Sequence, residues 1–307
     1  MKFIQEMRSK KLFYYSVFVL VLFSGCEKES VNYDTQLYQK NDIFYKKNHT
    51  DPYSGPTFSL YANGQKNDNG ILLKGGKNGI WEKWYENGNK ESEENYKNGK
   101  AHGIFLAWYE NNKLKLKGSF QNGEPDGLRT EWYDNGNKKK KGYYKKNKFD
   151  GQWTSWFPNG EKSSEGYYMD NKEDGMHILW YPNGGKKSQA QYSNGMISGL
   201  RTEWYKNGQK KVEGTIDGHW INWYENGSKE GEGYYENQRP VGKHINWYKS
   251  GQNKSEVHFV NGIPNGSMIQ WYENGQVKEE GNKVNGDQIG KWTYYNKDGS
   301  VDGIEEY

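Results

Sequence analysis

Along most of the chain the apolar side chains come as short aromatic pairs, set apart by polar, glycine-rich stretches. Trp132-Tyr133 is followed by Asp134-Asn135-Gly136. The same block stands at Trp84-Tyr85-Glu86-Asn87-Gly88, Trp156-Phe157-Pro158-Asn159-Gly160, Trp180-Tyr181-Pro182-Asn183-Gly184 and Trp204-Tyr205-Lys206-Asn207-Gly208, and Trp108 heads a copy ending in Asn111-Asn112. The leading Trp recurs every 24 residues from Trp84 to Trp204, then after one step of 19 residues at Trp223, Trp247 and Trp271. Degenerate copies flank the series at Leu60-Tyr61-Ala62-Asn63-Gly64 and at Tyr294-Tyr295 with Gly299. A fixed period of this length is the mark of a repeat array.

The pattern predicts β-hairpins. Asn-Gly is a strong signal for a tight type I′ turn, which needs positive φ at both central residues, and Glu86-Asn87-Gly88-Asn89 and Asp134-Asn135-Gly136-Asn137 supply it. The intervening segments have strand length and are rich in Trp, Tyr and Thr, which suit a pleated surface. Gly at least every dozen residues disfavours helix. The expected fold is therefore all-β: an elongated, single-layer antiparallel meander of about ten or eleven hairpin repeats over 58–307. Roughly twenty strands at a spacing of about 4.8 Å would reach on the order of 100 Å.

Strand side chains alternate between faces, so Trp156 and Phe157 point opposite ways and Trp153 shares a face with Phe157. The even period returns each slot to one face. All 13 Trp fall in two slots relative to a recurrent glycine. Trp84, Trp108, Trp132, Trp156, Trp180, Trp204, Trp223, Trp247 and Trp271 form a structural row, expected to pack on the inner side. Trp81, Trp153, Trp220 and Trp292, with Tyr133, Phe157, Tyr181 and Tyr205, are the candidate binding surface. Cross-strand aromatic pairs contribute roughly 0.2–1 kcal/mol each. The five-residue deficit around Gly214-Thr215-Ile216-Asp217-Gly218 predicts a kink or seam near 209–219, or simply one shorter tip.

Composition narrows the class. Hydrophobic residues are 32% and aromatics 16%, too little Leu, Ile and Val for a thick core but too aromatic for disorder. Residues 1–25 carry Lys2, Arg8, Lys10 and Lys11 before an apolar run, Leu12 to Phe23, that is too short to span a bilayer as a helix. Ser24-Gly25-Cys26 follows and resembles a bacterial lipobox, which implies a signal peptide over 1–25 and a diacylated Cys26. Cys26 is the only Cys, so no internal disulfide forms. The alternative is an ordinary secretory signal. Residues 26–57 read as the lipidated Cys and a polar tether, with short strands such as Ile43-Phe44-Tyr45 left open. Without the leader the charge is nearly balanced, which gives no drive toward nucleic acid. The run Lys138-Lys139-Lys140-Lys141 reads as a solvated hairpin edge.

The recurrent frame Gly142-x-Tyr144, Asn147, Gly151-x-Trp153 resembles the MORN repeat, and the added Trp-Tyr-x-Asn-Gly block resembles the bacterial variant of YwqK-like proteins. That resemblance implies a non-catalytic array used in protein–protein assembly or lipid contact, and an antitoxin-like label that translates here into an immunity role at the envelope. Gly290-Lys291-Trp292-Thr293-Tyr294-Tyr295 resembles a cell-wall-binding repeat, which implies glycan binding. The histidines lack metal-ligand spacing, no phosphate loop or nucleophile elbow lies outside the frame, and no segment remains for a catalytic domain. The expectation is a lipid-anchored envelope protein, at the outer membrane or cell surface, with no enzymatic activity, cofactor or metal, an unidentified protein partner and, alternatively, a cell-wall glycan ligand.

Overall fold

The computed structural model describes residues 28–307; the leader and Cys26 lie outside them. From Gly55–Leu60 to Val301–Glu306 each strand pairs antiparallel with its neighbours in chain order, as in Lys138–Lys145 between Gly127–Trp132 and Lys148–Trp156. These 23 strands form the meander that the aromatic period predicts, and Val31–Asn32 brings the sheet to 24.

The two edges of the sheet use different turns, and this corrects the turn assignment. In Tyr133-Asp134-Asn135-Gly136-Asn137 only Gly136 has positive φ, at 94°. Gly136 N–H donates to Tyr133 C=O and Tyr133 N–H to Asn137 C=O, and the register shifts between Glu131 and Trp132. This is a type I turn closed by a glycine bulge, a four-residue loop with one left-handed position. The type I′ turns lie on the opposite edge, at pairs such as Asn98 (φ 51°) and Gly99 (φ 78°), where Lys97 faces Lys100.

The segment before the array is folded rather than a tether. Val31–Asn32 pairs parallel with Thr57 and Phe58, Tyr33–Gln36 makes one helical turn, and Leu37–Lys40 pairs with Ile43–Lys46. Val31 and Leu37 are buried in one cluster with Leu72 and Trp81, against Tyr33, Phe44 and Tyr53. The segment covers the first edge of the sheet, where a repeat array has no preceding unit to bury its apolar surface. Tyr33 O–H donates to Asp68 at 2.5 Å, and burial first, then that bond, hold its phenol well above the ordinary range. Burial, with a bond to Glu94, does the same to Tyr96.

No seam divides the array near 209–219. Lys210–Gly214 and Gly218–Trp223 pair in uninterrupted register, and Trp220 faces Gly233 of the next unit. A full unit such as 138–156 carries a register irregularity opposite its bulge glycine. The short unit instead pairs Gly214 directly with Trp220 and closes through the five residues 215–219, so the odd deficit falls in the turn and leaves the paired side chains on their expected faces.

Candidate interaction surfaces

One face is a glycine–aromatic interlock. Trp153 stands opposite Gly142 on one side and Gly166 on the other. A β-carbon on Gly142 would fall 2.1 Å from the indole, and the indole N–H donates to Tyr143 C=O at 3.1 Å. Gly70 with Trp81 and Gly281 with Trp292 repeat the arrangement. His177 on Gly166 and His244 on Gly233 imitate it, each with Nε2 bonded to the corresponding carbonyl, of Tyr167 (2.7 Å) and Tyr234 (2.9 Å). Tyr168 and Tyr192 flank the His177 ring at 5.0 Å. Trp81, Trp153 and Trp292 are 5%, 4% and 1% exposed.

Along the type I edge run two hydrogen-bonded rails. Tyr133 O–H donates to Trp156 C=O at 2.8 Å, Tyr181 to Trp204 C=O at 2.9 Å and Tyr205 to Trp223 C=O at 2.9 Å, the last of these across the short unit. Most turn Asn residues do two jobs: Asn135 accepts from its own Asn137 N–H and donates through its amide to Pro158 C=O of the next turn. The neutral bonds are worth roughly 0.5–1.5 kcal/mol each, and they tie every unit to the next.

The other face carries three rows. The leading Trp residues are half-buried, most of them under a Lys of the preceding unit: Lys90 over Trp108 (5.6 Å), Lys162 over Trp180 (5.6 Å), Lys229 over Trp247 (5.4 Å); Trp132 and Trp271 have Leu114 and Asn253 at that position instead. Beside them a row crosses the sheet in direct register, in part Thr154–Glu165–Ile178–Gln189–Thr202–Glu213–Ile221–Glu232. Its acids pair with the same lysines: Lys90 with Glu93 at 2.8 Å, Lys210 with Glu213 at 2.6 Å, Lys229 with Glu232 at 2.5 Å, and Lys162 with Glu165. The third row is apolar and exposed: Ile80, Ile104, Leu128, Tyr143, Tyr167, Met176 and Leu200.

The structure therefore redistributes the sequence-based assignments. Trp81, Trp153 and Trp292 are the buried core, not a binding surface; Trp220 is half-buried, and its indole N–H donates to Asn222 Oδ1 at 3.1 Å rather than to a backbone carbonyl. Tyr133, Tyr181 and Tyr205 are half-buried and committed to the rail, and Phe157, half-buried in the same slot, has no hydroxyl to join it. The Trp84-to-Trp156 row is not the most deeply buried one; glycines stand opposite the other row, and they alone admit a ring flat against the sheet. The lysine run lies in an interior strand, not at an edge. Lys140 sits 4.5 Å from the Phe149 ring and 4.6 Å from that of Trp153, where burial lowers its pKa. The exposed apolar row went unread in the sequence, although its members sit one residue after a bulge glycine (Ile80, Ile104, Leu128, Met176, Leu200) or after an interlock glycine (Tyr143, Tyr167). Among the described residues no group of three or more His, Cys, Asp and Glu is placed to hold a metal ion, and no helix is long and apolar enough to cross a membrane.

Six units match the MORN repeat variant, at residues 77–98, 101–122, 125–146, 149–170, 216–237 and 264–282. These six units carry the repeat variant, and the units between them continue the same rails and interlock. A comparison with curated proteins finds no significant match. Among solved structures, the TCP10 domain of Danio rerio CPAP in complex with a peptide of Danio rerio STIL aligns at 12% identity over 82% of this chain and 100% of that one, with a TM-score of 0.31. The TcdB2-TccC3-Cdc42 structure aligns at 11% identity over 82% of this chain and 17% of that one, and the Photorhabdus luminescens Tc holotoxin pore at 9% over 86% and 16%, each with a TM-score of 0.18. At these scores the alignments carry no argument about this chain.

Proposed function

We propose that this chain is a non-catalytic, lipid-anchored protein of a bacterial envelope whose repeat sheet docks a protein partner. The observation that supports it is the exposed apolar row. The indoles of the buried ladder and the tyrosines of the rail are spent on holding the array together, whereas Ile104, Leu128, Tyr143, Tyr167 and Met176 are between 39% and 53% exposed along one line of one face. The row is broken by single polar residues, Asn95, Ser119, Gln152 and Gln191, and an apolar row on a rigid support, bordered by charged residues, has the anatomy of a docking surface with polar contacts built in. The basic leader, the apolar run and Ser24-Gly25-Cys26 support the anchor. Pull-down from envelope extract with the full chain tests the docking: capture of a defined protein, lost on Ile104→Ser with Tyr167→Ser, supports it, and capture unaffected by that pair overturns it. For the anchor, Cys26→Ala should release the protein from membranes.

One observation favours glycan binding as a second reading. On the interlock face a depression of about 250 Å³ is lined by Tyr168, Tyr192, His177, Glu173, Ser164 and Ser188, a mixture of ring faces and hydroxyls suited to a sugar. Co-sedimentation with purified cell wall, lost on Tyr192→Ala, would move the function there. Trp292 is too deeply buried to report on it.

A further inference from the structure

The charge lattice on the Trp-row face holds a neutral amide at two of its acid positions, Asn69 in the unit of Lys66 and Gln189 in the unit of Lys186, and at one gap it is reversed in sign. Where a unit supplies both Lys and Glu in the third-neighbour pair, the Lys that covers the next Trp meets a carboxylate. In the unit that begins at Lys138 the acid position holds Lys141 instead, and in the preceding unit it holds Lys117. These two lysines flank Thr130 on consecutive strands, Lys117 facing Thr130 and Thr130 facing Lys141. Lys138 lies 5.9 Å from the Trp156 ring. Among the described residues, no carboxylate lies within ion-pair distance of Lys117, Lys138 or Lys141, while the corresponding lysines at 90, 162, 210 and 229 each have one.

The gap coincides with a depression of about 350 Å³ that brings together Lys138, Lys141, Thr154 and Trp156 with the exposed Leu128 and Tyr143. Glu165 lines its far side and is held by Lys162. Three cations without internal partners thus border the middle of the exposed apolar row.

We propose that this depression takes the side-chain carboxylate of an acidic, extended segment of a partner protein, which completes the lattice in trans while the neighbouring apolar residues of that segment lie on Leu128 and Tyr143. The inference rests on the protein-docking reading above and locates its polar anchor. A carboxylate fits because Glu93, Glu165, Glu213 and Glu232 fill the same position in four other units, each paired with its lysine. A peptide fits better than an anionic membrane surface, because Glu82 and Glu93 continue the same row on one side and Glu165 on the other. A broad anionic surface would meet those acids, whereas a narrow segment does not. Close opposite charges on a docking surface set specificity and association rate, and their effect weakens with salt.

The test uses the full chain and a fluorescein-labelled decapeptide of alternating Glu and Val, with a Lys–Val decapeptide and phosphatidylglycerol vesicles as comparison probes. Lys141→Glu rebuilds the pair with Lys138, so it should fold as well as the parent. Fluorescence anisotropy should give salt-sensitive binding of the acidic peptide only, at least tenfold weaker in Lys141→Glu and abolished in Lys117→Glu/Lys141→Glu, with the thermal midpoint unchanged or raised. Equal peptide binding by parent and variants overturns the proposal, as does vesicle binding without peptide binding. If the variants lose no peptide affinity yet the parent still captures a protein through Ile104 and Tyr167, this site fails and the docking reading stands.

Discussion

Trp153 and Gly142 face each other across one hairpin so closely that the glycine's missing side chain is the space the indole occupies. Gly142→Ala should therefore displace a buried ring rather than merely restrict a backbone. We expect a loss of about 2–4 kcal/mol, in the range of severe overpacking and cavity mutations. Urea denaturation of Gly142→Ala, Trp153→Ala and the double variant checks it. The double variant should lose clearly less than the sum of the two, and simple additivity would mean that the pair is not coupled.

His177 occupies the same slot as Trp153, lies on Gly166 and makes the same bond to a backbone carbonyl. His177→Trp should be accepted without backbone change and should stabilise by up to about 1 kcal/mol through added apolar burial. A drop in the thermal midpoint would show that the imidazole is fitted to its site by more than shape.

The tyrosine rail has an internal control. Tyr133→Phe removes the hydroxyl that reaches Trp156 C=O, while Phe157 already lacks one. The loss should be about 0.5–1.5 kcal/mol, read by urea denaturation. Phe157→Tyr, which offers Trp180 C=O a donor, should move stability the other way, and no gain would place that carbonyl out of reach.

Alkaline stability should depend in part on two buried tyrosines at the first end of the array. Tyr33 and Tyr96 are pushed well above the phenol range by burial and a carboxylate acceptor, whereas an unfolded tyrosine ionises near about 10. Above that pH the folded chain keeps protons that the unfolded chain has lost, so their contribution is complete below about pH 10 and declines as pH rises beyond it. Denaturant midpoints measured from pH 8 to 11 should fall above about 10 in the parent and fall less in Tyr33→Phe/Tyr96→Phe.

The hairpin architecture was legible because Trp and Gly mark it twice in every unit, and the even spacing fixed which residues share a face. Which Trp row is buried was not legible from the Trp residues themselves. The deciding residue is the glycine opposite, which stands eleven positions before Trp81, Trp153, His177, His244 and Trp292. The two turn types are not separable in the sequence because Asn-Gly serves both edges, and only the pairing of the flanking strands separates a two-residue loop from a four-residue one. The N-terminal cap reads in the sequence as a tether with at most short strands such as Ile43-Phe44-Tyr45, because its strands are short, unrepeated and polar on their outer side. The charge gap at Lys117 and Lys141 was visible as a lysine run, yet its meaning depends on which carboxylates their counterparts meet across the sheet.

The unit at 210–223 has discarded its distal tip while its Tyr and Asn contacts to both neighbours stay in place. Contour length is thus negotiable on the type I′ rim and fixed on the tyrosine side. A guest loop grafted at the Lys146-Asn147 turn should leave the remaining units in step, so this rim is where such an array can diversify its reach without renegotiating its fold.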